Sequence, residues 1–221
     1  KRVAEMEAAG AEVRRAPGSY EEVVEVSRRA AKEEGLYDAN PGGANTALQV
    51  AAYAPLAGEI VRGLGAVPAA VALPVSNGTL FAGVYEGFAR LREAGTVSHL
   101  PALVAGSTAQ QNPIVRAWRR HLDHVEDLPP ERLRETPTNE PLVNWRSLDG
   151  EEALRALRAT GGWAADVSDR TLTKLSALLR QREGLNVLPA ATAGLAALVD
   201  RHRREPLSAG PFVAVLTARK P

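Results

Sequence analysis

Cysteine is absent from the 221-residue chain, which excludes a disulfide framework, a thiol nucleophile and a zinc–thiolate site. Methionine occurs once, at Met6. Lysine occurs four times, at Lys1, Lys32, Lys174 and Lys220, so lysine chemistry has few places to reside. A dominant sign of charge is lacking too. The 27 basic residues face 26 acidic ones, for a formal net charge of +1, and no general field draws the chain to nucleic acid or to a membrane surface. No apolar run approaches the ~18 residues that cross a bilayer, and the charged, amphipathic segment 1–10 is no signal peptide. These absences lead to the expectation of a soluble, cytoplasmic chain. No P-loop or Gly-x-Ser-x-Gly elbow occurs, and Gly63-x-Gly65 lacks the third glycine of a dinucleotide fingerprint, because Pro68 stands there. His121 and His124, with Asp123, have helical metal-ligand spacing but read as a solvated charged face. The arginine-rich segments 116–120 and 201–204 read the same way, and no metal site is expected.

What is present is ordinary globular composition, 45% hydrophobic and 24% charged, at a length that suits one domain or one and a half. Short apolar runs alternate with helical patterns to the end. Residues 1–10 read as a helix with no capping residue before it, as though sequence upstream were missing. Residues 11–15 read as a short strand. Ser19-Tyr20-Glu21-Glu22 is a capping box that opens a helix to about Glu34, with Gly35 as its stop. Residues 46–64 read as one long helix. Strands are expected at 69–74, 100–105, 163–167 and 212–216. Further helices are expected at 79–94, 113–124, 150–160, from Ser168 onward, and at 191–204. This alternation implies βαβ units, hence an α/β protein with a largely parallel twisted sheet covered by helices.

Open α/β sheets bind ligands outside the carboxyl ends of their strands. Three segments fall there. After strand 69–74 comes Val75-Ser76-Asn77-Gly78-Thr79, which opens directly into a helix. Small residues at a helix N-terminus present free backbone N–H groups and a positive dipole end, and Ser76 and Thr79 add hydroxyl donors. The result is a phosphate-sized anion site without lysine, although the same pattern suits an ordinary βα turn. Gly106-Ser107-Thr108 is a second polar turn, and Thr217 follows the last strand.

The order GAEV, YDANPGG, a helix ending in LG, VALPVSNGTLFAG, EGLNVLPAATAGLAAL and VAVLT resembles fold-type II pyridoxal-phosphate (PLP) enzymes. It is most similar to the threonine synthase branch. Cysteine synthase, threonine dehydratase and diaminopropionate ammonia-lyase share that fold. The likeness runs from Gly10 to Thr217. It implies a tryptophan-synthase-β-like fold, with residues 1–37 as the remnant of a small mobile domain and 38–221 as the large PLP-binding domain.

Carried over residue by residue, the resemblance places the family's phosphate loop on Ser76, Asn77, Gly78, Thr79 and Leu80, and its hydroxyl partner of the pyridine nitrogen on Thr217. Glu183-Gly184 and the run from Pro189 to Ala193 match another family segment, but Leu188 stands where that segment has an acidic residue. The family's cofactor-anchoring lysine, in an S-F-K-x-R context, and its S-S-G-N substrate loop have no counterpart here. The resemblance therefore implies the C-terminal two-thirds of such an enzyme, with no catalytic residue in this chain. The implied activity is elimination or replacement on a small amino-acid substrate, threonine-synthase-like, from O-phosphohomoserine to threonine. Ser107, Thr108, Asn139 and Asn144 lie in segments that could face the substrate's phosphate. A homodimer, or the missing N-terminal segment, is the expected partner. Two other readings stay open: a non-catalytic fragment that binds PLP or a partner, and an unrelated α/β protein that grips a nucleotide phosphate at 76–79.

Overall fold

The computed structural model describes residues 2–207 and 210–219. The chain forms two compact units, Lys1–Asn40 and Pro41–Pro221. The first contains α1 (Arg2–Ala8) and α2 (Tyr20–Glu34). α2 starts where its capping box dictates. The Ser19 hydroxyl accepts from the Glu22 N–H at 3.3 Å, and the Glu22 carboxylate accepts from the Ser19 N–H at 2.7 Å. Gly35, at φ 68°, closes the helix. The strand expected at 11–15 is irregular chain instead. A lone strand has no ladder for its N–H and C=O groups, and no strand lies in this unit among the described residues. Arg14 there pairs with Glu12 and Glu34.

The second unit is built on four parallel strands in the order β3-β2-β1-β4: β1 (Ala70–Pro74), β2 (Ala102–Thr108), β3 (Trp163–Val167) and β4 (Phe212–Ala214). The helices are α3 (Thr46–Tyr53), α4 (Pro55–Leu64), α5 (Thr79–Glu93), α6 (Pro113–Arg119), α7 (Gly150–Ala159), α8 (Asp169–Glu183) and α9 (Ala193–Arg204). The single helix expected at 46–64 divides because Pro55 has no N–H to give to the preceding turn. It serves instead as the first residue of α4.

Strand alternation separates the two faces of the sheet. Val71 and Leu73 meet Phe81 and Phe88 of α5 and Leu157 of α7. Ala70, Ala72 and Val104 meet Ala197 and Leu198 of α9. The second face is made of small residues so that α9 can lie close. A Cβ at Gly106 would stand 1.9 Å from the Ala193 carbonyl oxygen. Gly106, Ser107 and Thr108, expected as a turn, are buried strand residues, because β2 is paired on both edges out to Thr108. Among the described residues no helix is long and apolar enough to cross a membrane.

Candidate functional site

β1 and β4 run side by side, with Ala72 opposite Ala214. Continued past the end of β4, this register brings Thr217 level with Val75, the residue that opens the loop into α5. The two segments thus meet at the carboxyl edge of the sheet, although 142 positions separate Ala72 from its partner Ala214 in sequence.

The loop is held from behind by its carbonyls. Val75 O accepts from the Ser107 hydroxyl at 2.6 Å. Ser76 O accepts from the Asn112 amide at 3.1 Å, the Ser147 hydroxyl at 3.2 Å and the Asn144 amide at 3.3 Å. Asn77 O accepts from the Asp149 N–H at 2.9 Å, and Gly78 O from the Ala82 N–H at 2.9 Å. In a trans peptide the N–H points opposite to the C=O. Anchoring four successive carbonyls on one side therefore turns the next four N–H groups to the other. Among the described residues, the main-chain N–H groups of Ser76, Asn77, Gly78, Thr79, Leu80 and Phe81 have no acceptor. The last three belong to the first turn of α5, where the helix itself offers none.

These donors line a cleft of about 240 Å3 that Thr217, Leu188, Leu142 and Tyr53 also line. Among the described residues no charged side chain lines it. Its positive character comes from main-chain N–H groups and the N-terminal end of α5. The Thr217 hydroxyl has no partner among the described residues. The arrangement suits a ligand with a dianionic head, an apolar body and an acceptor that the Thr217 hydroxyl can meet.

The structure thus brings Ser76, Asn77, Gly78, Thr79, Leu80 and Thr217 together in one cleft. It corrects one detail. The Thr79 hydroxyl is not a donor to an anion, because it already donates to Asp149, and a hydroxyl has one proton to give. Its main-chain N–H remains. Ser107, Thr108, Asn139 and Asn144 do not face the cleft either. All four are buried. Ser107 and Asn144 brace the loop, whereas Asn139 closes a turn by accepting from the Thr136 N–H. Lys32 lies on α2 and Lys174 on the exposed side of α8, while Lys1 and Lys220 fall outside the described residues. No lysine lines the cleft among those described.

Asp149 is the residue that sequence reasoning missed. It is fully buried just before α7, where it would ordinarily be read as a helix cap. Its carboxylate makes no capping bond and instead accepts from the hydroxyls of Thr46 and Thr79. It joins α3, α5 and the start of α7. Only its position ahead of Gly150 marked it in the sequence.

A family model described as pyridoxal-phosphate dependent enzyme matches residues 1–218. Threonine synthase of Methanocaldococcus jannaschii is 26% identical over 190 residues, covering 86% of this chain and 45% of that protein. Threonine synthase of Methanosarcina acetivorans is 29% identical over 132 residues, covering 60% of this chain and 32% of that protein. The chain spans less than half the length of these relatives. Among solved structures, maize serine racemase superposes with a TM-score of 0.78 at 14% identity, covering 100% of this chain and 64% of that one. The processed form of threonine deaminase isoform 2 from Solanum lycopersicum gives 0.76 at 13% identity, covering 100% and 59%. At such identities the structural likeness shows the fold, and it agrees with the α/β class expected from the sequence.

Proposed function

Because the chain belongs to the pyridoxal-phosphate dependent enzyme family, we propose that its cleft holds that cofactor in an enzyme of the threonine-synthase-like branch, which eliminates or replaces a substituent on an amino-acid substrate. The observation that carries this reading is the run of six main-chain N–H groups without acceptors at one end of a cleft whose other lining includes the free Thr217 hydroxyl. The donor set fits the group. Main-chain N–H groups and a helix N-terminus suit a phosphate dianion, Leu142 and Leu188 suit an aromatic ring, and a hydroxyl suits a ring nitrogen.

When bound, pyridoxal phosphate supplies an electron sink for the carbon that bears the substrate's amino group. Ser76, Asn77, Gly78, Thr79 and Leu80 would hold its phosphate and so fix its position. Thr217 would meet its pyridine nitrogen. A neutral hydroxyl does not keep that nitrogen protonated as a carboxylate would, which favours expulsion of a leaving group over transamination. We assign the cofactor-anchoring lysine to sequence outside the described residues. A cytoplasmic location and a homodimer belong to the same proposal.

The test is a thermal melt of the purified protein with PLP, ATP or NAD. Saturation at 100 times Kd adds about 2.7 kcal/mol, so PLP is expected to raise the midpoint by roughly 5 °C or more for a chain of this size. Protection by ATP or NAD with none by PLP would overturn the assignment. A second expected result concerns Thr217→Asp. With labelled cofactor bound, the pyridine 15N resonance moves to its protonated position. An unmoved resonance would remove Thr217 from the nitrogen's surroundings.

A further inference from the structure

The arginines of 116–120 do not form a plain solvated face. Arg116, Arg119 and Arg120 line a second cleft of about 730 Å3 with Arg132 and Arg134. Five arginines from two separate segments thus line one cleft in a chain whose net charge is +1. Asp166 is the one acidic residue of the lining, and it pairs with Arg119. Arg116 lies 3.5 Å from Glu126. The Arg134 guanidinium donates only to the carbonyls of Glu131 and Leu133 among the described residues. The guanidinium groups of Arg120 and Arg132 have no partner among the described residues. Among the described residues, three of the five arginines that line the cleft therefore have no acid paired with them. Basic residues at the end of α6 complement its dipole, but that accounts for neither Arg132, which ends the 3-10 helix Pro130–Arg132, nor Arg134 beyond it.

Backbone strain points to the same place. Among the described residues only Gln110 and His121 are non-glycines with positive φ, at 60° and 55°. Gln110 lines this cleft, and His121 directly follows Arg120. Such conformations cost free energy and persist where the surroundings enforce them, which is often at ligand sites. Here the Gln110 N–H donates to Asp166 at 2.9 Å. Next to it, the Gln111 side chain accepts from the Arg134 N–H. The chain just ahead of α6 is thereby tied both to β3 and to the segment that bears Arg134.

We propose that this second cleft binds a small polyanion carrying two or more phosphate groups. Its volume is within the range of small-molecule sites and far exceeds one phosphate. The planar guanidinium fork matches phosphate oxygens in pairs. A nucleoside triphosphate and an inorganic polyphosphate share this chemistry.

Calorimetric titration at low salt, with the protein saturated with PLP, uses tripolyphosphate and ATP as probes. Saturable binding of tripolyphosphate is expected, weakened at least about tenfold by Arg120→Ser/Arg132→Ser. Both positions are exposed, so the fold is retained. The control pair Arg180→Ser/Arg182→Ser, on the exposed side of α8, removes the same charge and should leave affinity within about twofold. ATP binding tenfold more tightly than tripolyphosphate would identify a nucleotide as the natural ligand, and equal affinity would identify an inorganic chain. Absence of saturable binding by either probe, or equal losses in the two double variants, would overturn the site. PLP protection in the double variant should match that of the unaltered protein, which separates this result from any failure of the first cleft.

Discussion

Alanine at Gly78 is expected to weaken PLP binding by about a hundredfold and to lower the melting midpoint by several degrees. The added Cβ would stand 2.6 Å from the Asp149 carbonyl oxygen and 3.0 Å from the Ala153 Cβ, on a residue whose φ is 102°. Strain of that kind and overpacking each cost about 1–3 kcal/mol. Neither neighbour can give way easily, since one is backbone and the other a fully buried alanine of α7. The loop must move instead, and its N–H groups then cease to converge. About 2.7 kcal/mol lost from binding corresponds to a hundredfold in Kd. Equilibrium dialysis of PLP with the variant makes the comparison. Affinity within threefold of the unaltered protein would show that the loop is not the phosphate seat.

The second large effect is expected at Asp149. Removing its carboxylate in Asp149→Ala leaves the hydroxyls of Thr46 and Thr79 without their acceptor in a closed interior, and each such loss costs about 1–3 kcal/mol. The emptied volume adds to this. A total loss of about 3–5 kcal/mol in unfolding free energy follows, read from the denaturant midpoint at constant m-value. Asp149→Asn keeps one acceptor oxygen and nearly the same shape, so it should lie between the two. Equal stability of the alanine variant and the unaltered protein would show that the buried carboxylate does not hold the loop against α3 and α7.

Several of these features could be read along the chain, and others could not. The capping box at Ser19, the stop at Gly35, the parallel βαβ order and the small-residue loop ahead of α5 are local patterns, and the structure shows each. The six ordered segments that resemble fold-type II enzymes led to the family that the comparison shows. Residues 11–15 failed as a strand because extended propensity needs a neighbouring edge. Residues 106–108 failed as a turn because pairing on both sides drew them into β2. Asn144 looked like a substrate contact because its type suits one, yet its amide is occupied by Ser76 O, Arg146 O and the Ser147 hydroxyl.

By itself, then, the sequence determined where α2 starts and stops, which chemistry the loop at 76–80 offers, and which family the chain resembles. These depend on caps, glycines, prolines and periodicity within a few residues of one another. The tertiary structure decided which way the loop's N–H groups face, that Thr217 shares their cleft, that Asp149 takes the Thr79 hydroxyl, and that two arginine segments meet beside Gln110. Each of those depends on partners brought together by strand register and helix packing from distant parts of the chain. No window of sequence contains both partners, so only the folded chain joins them.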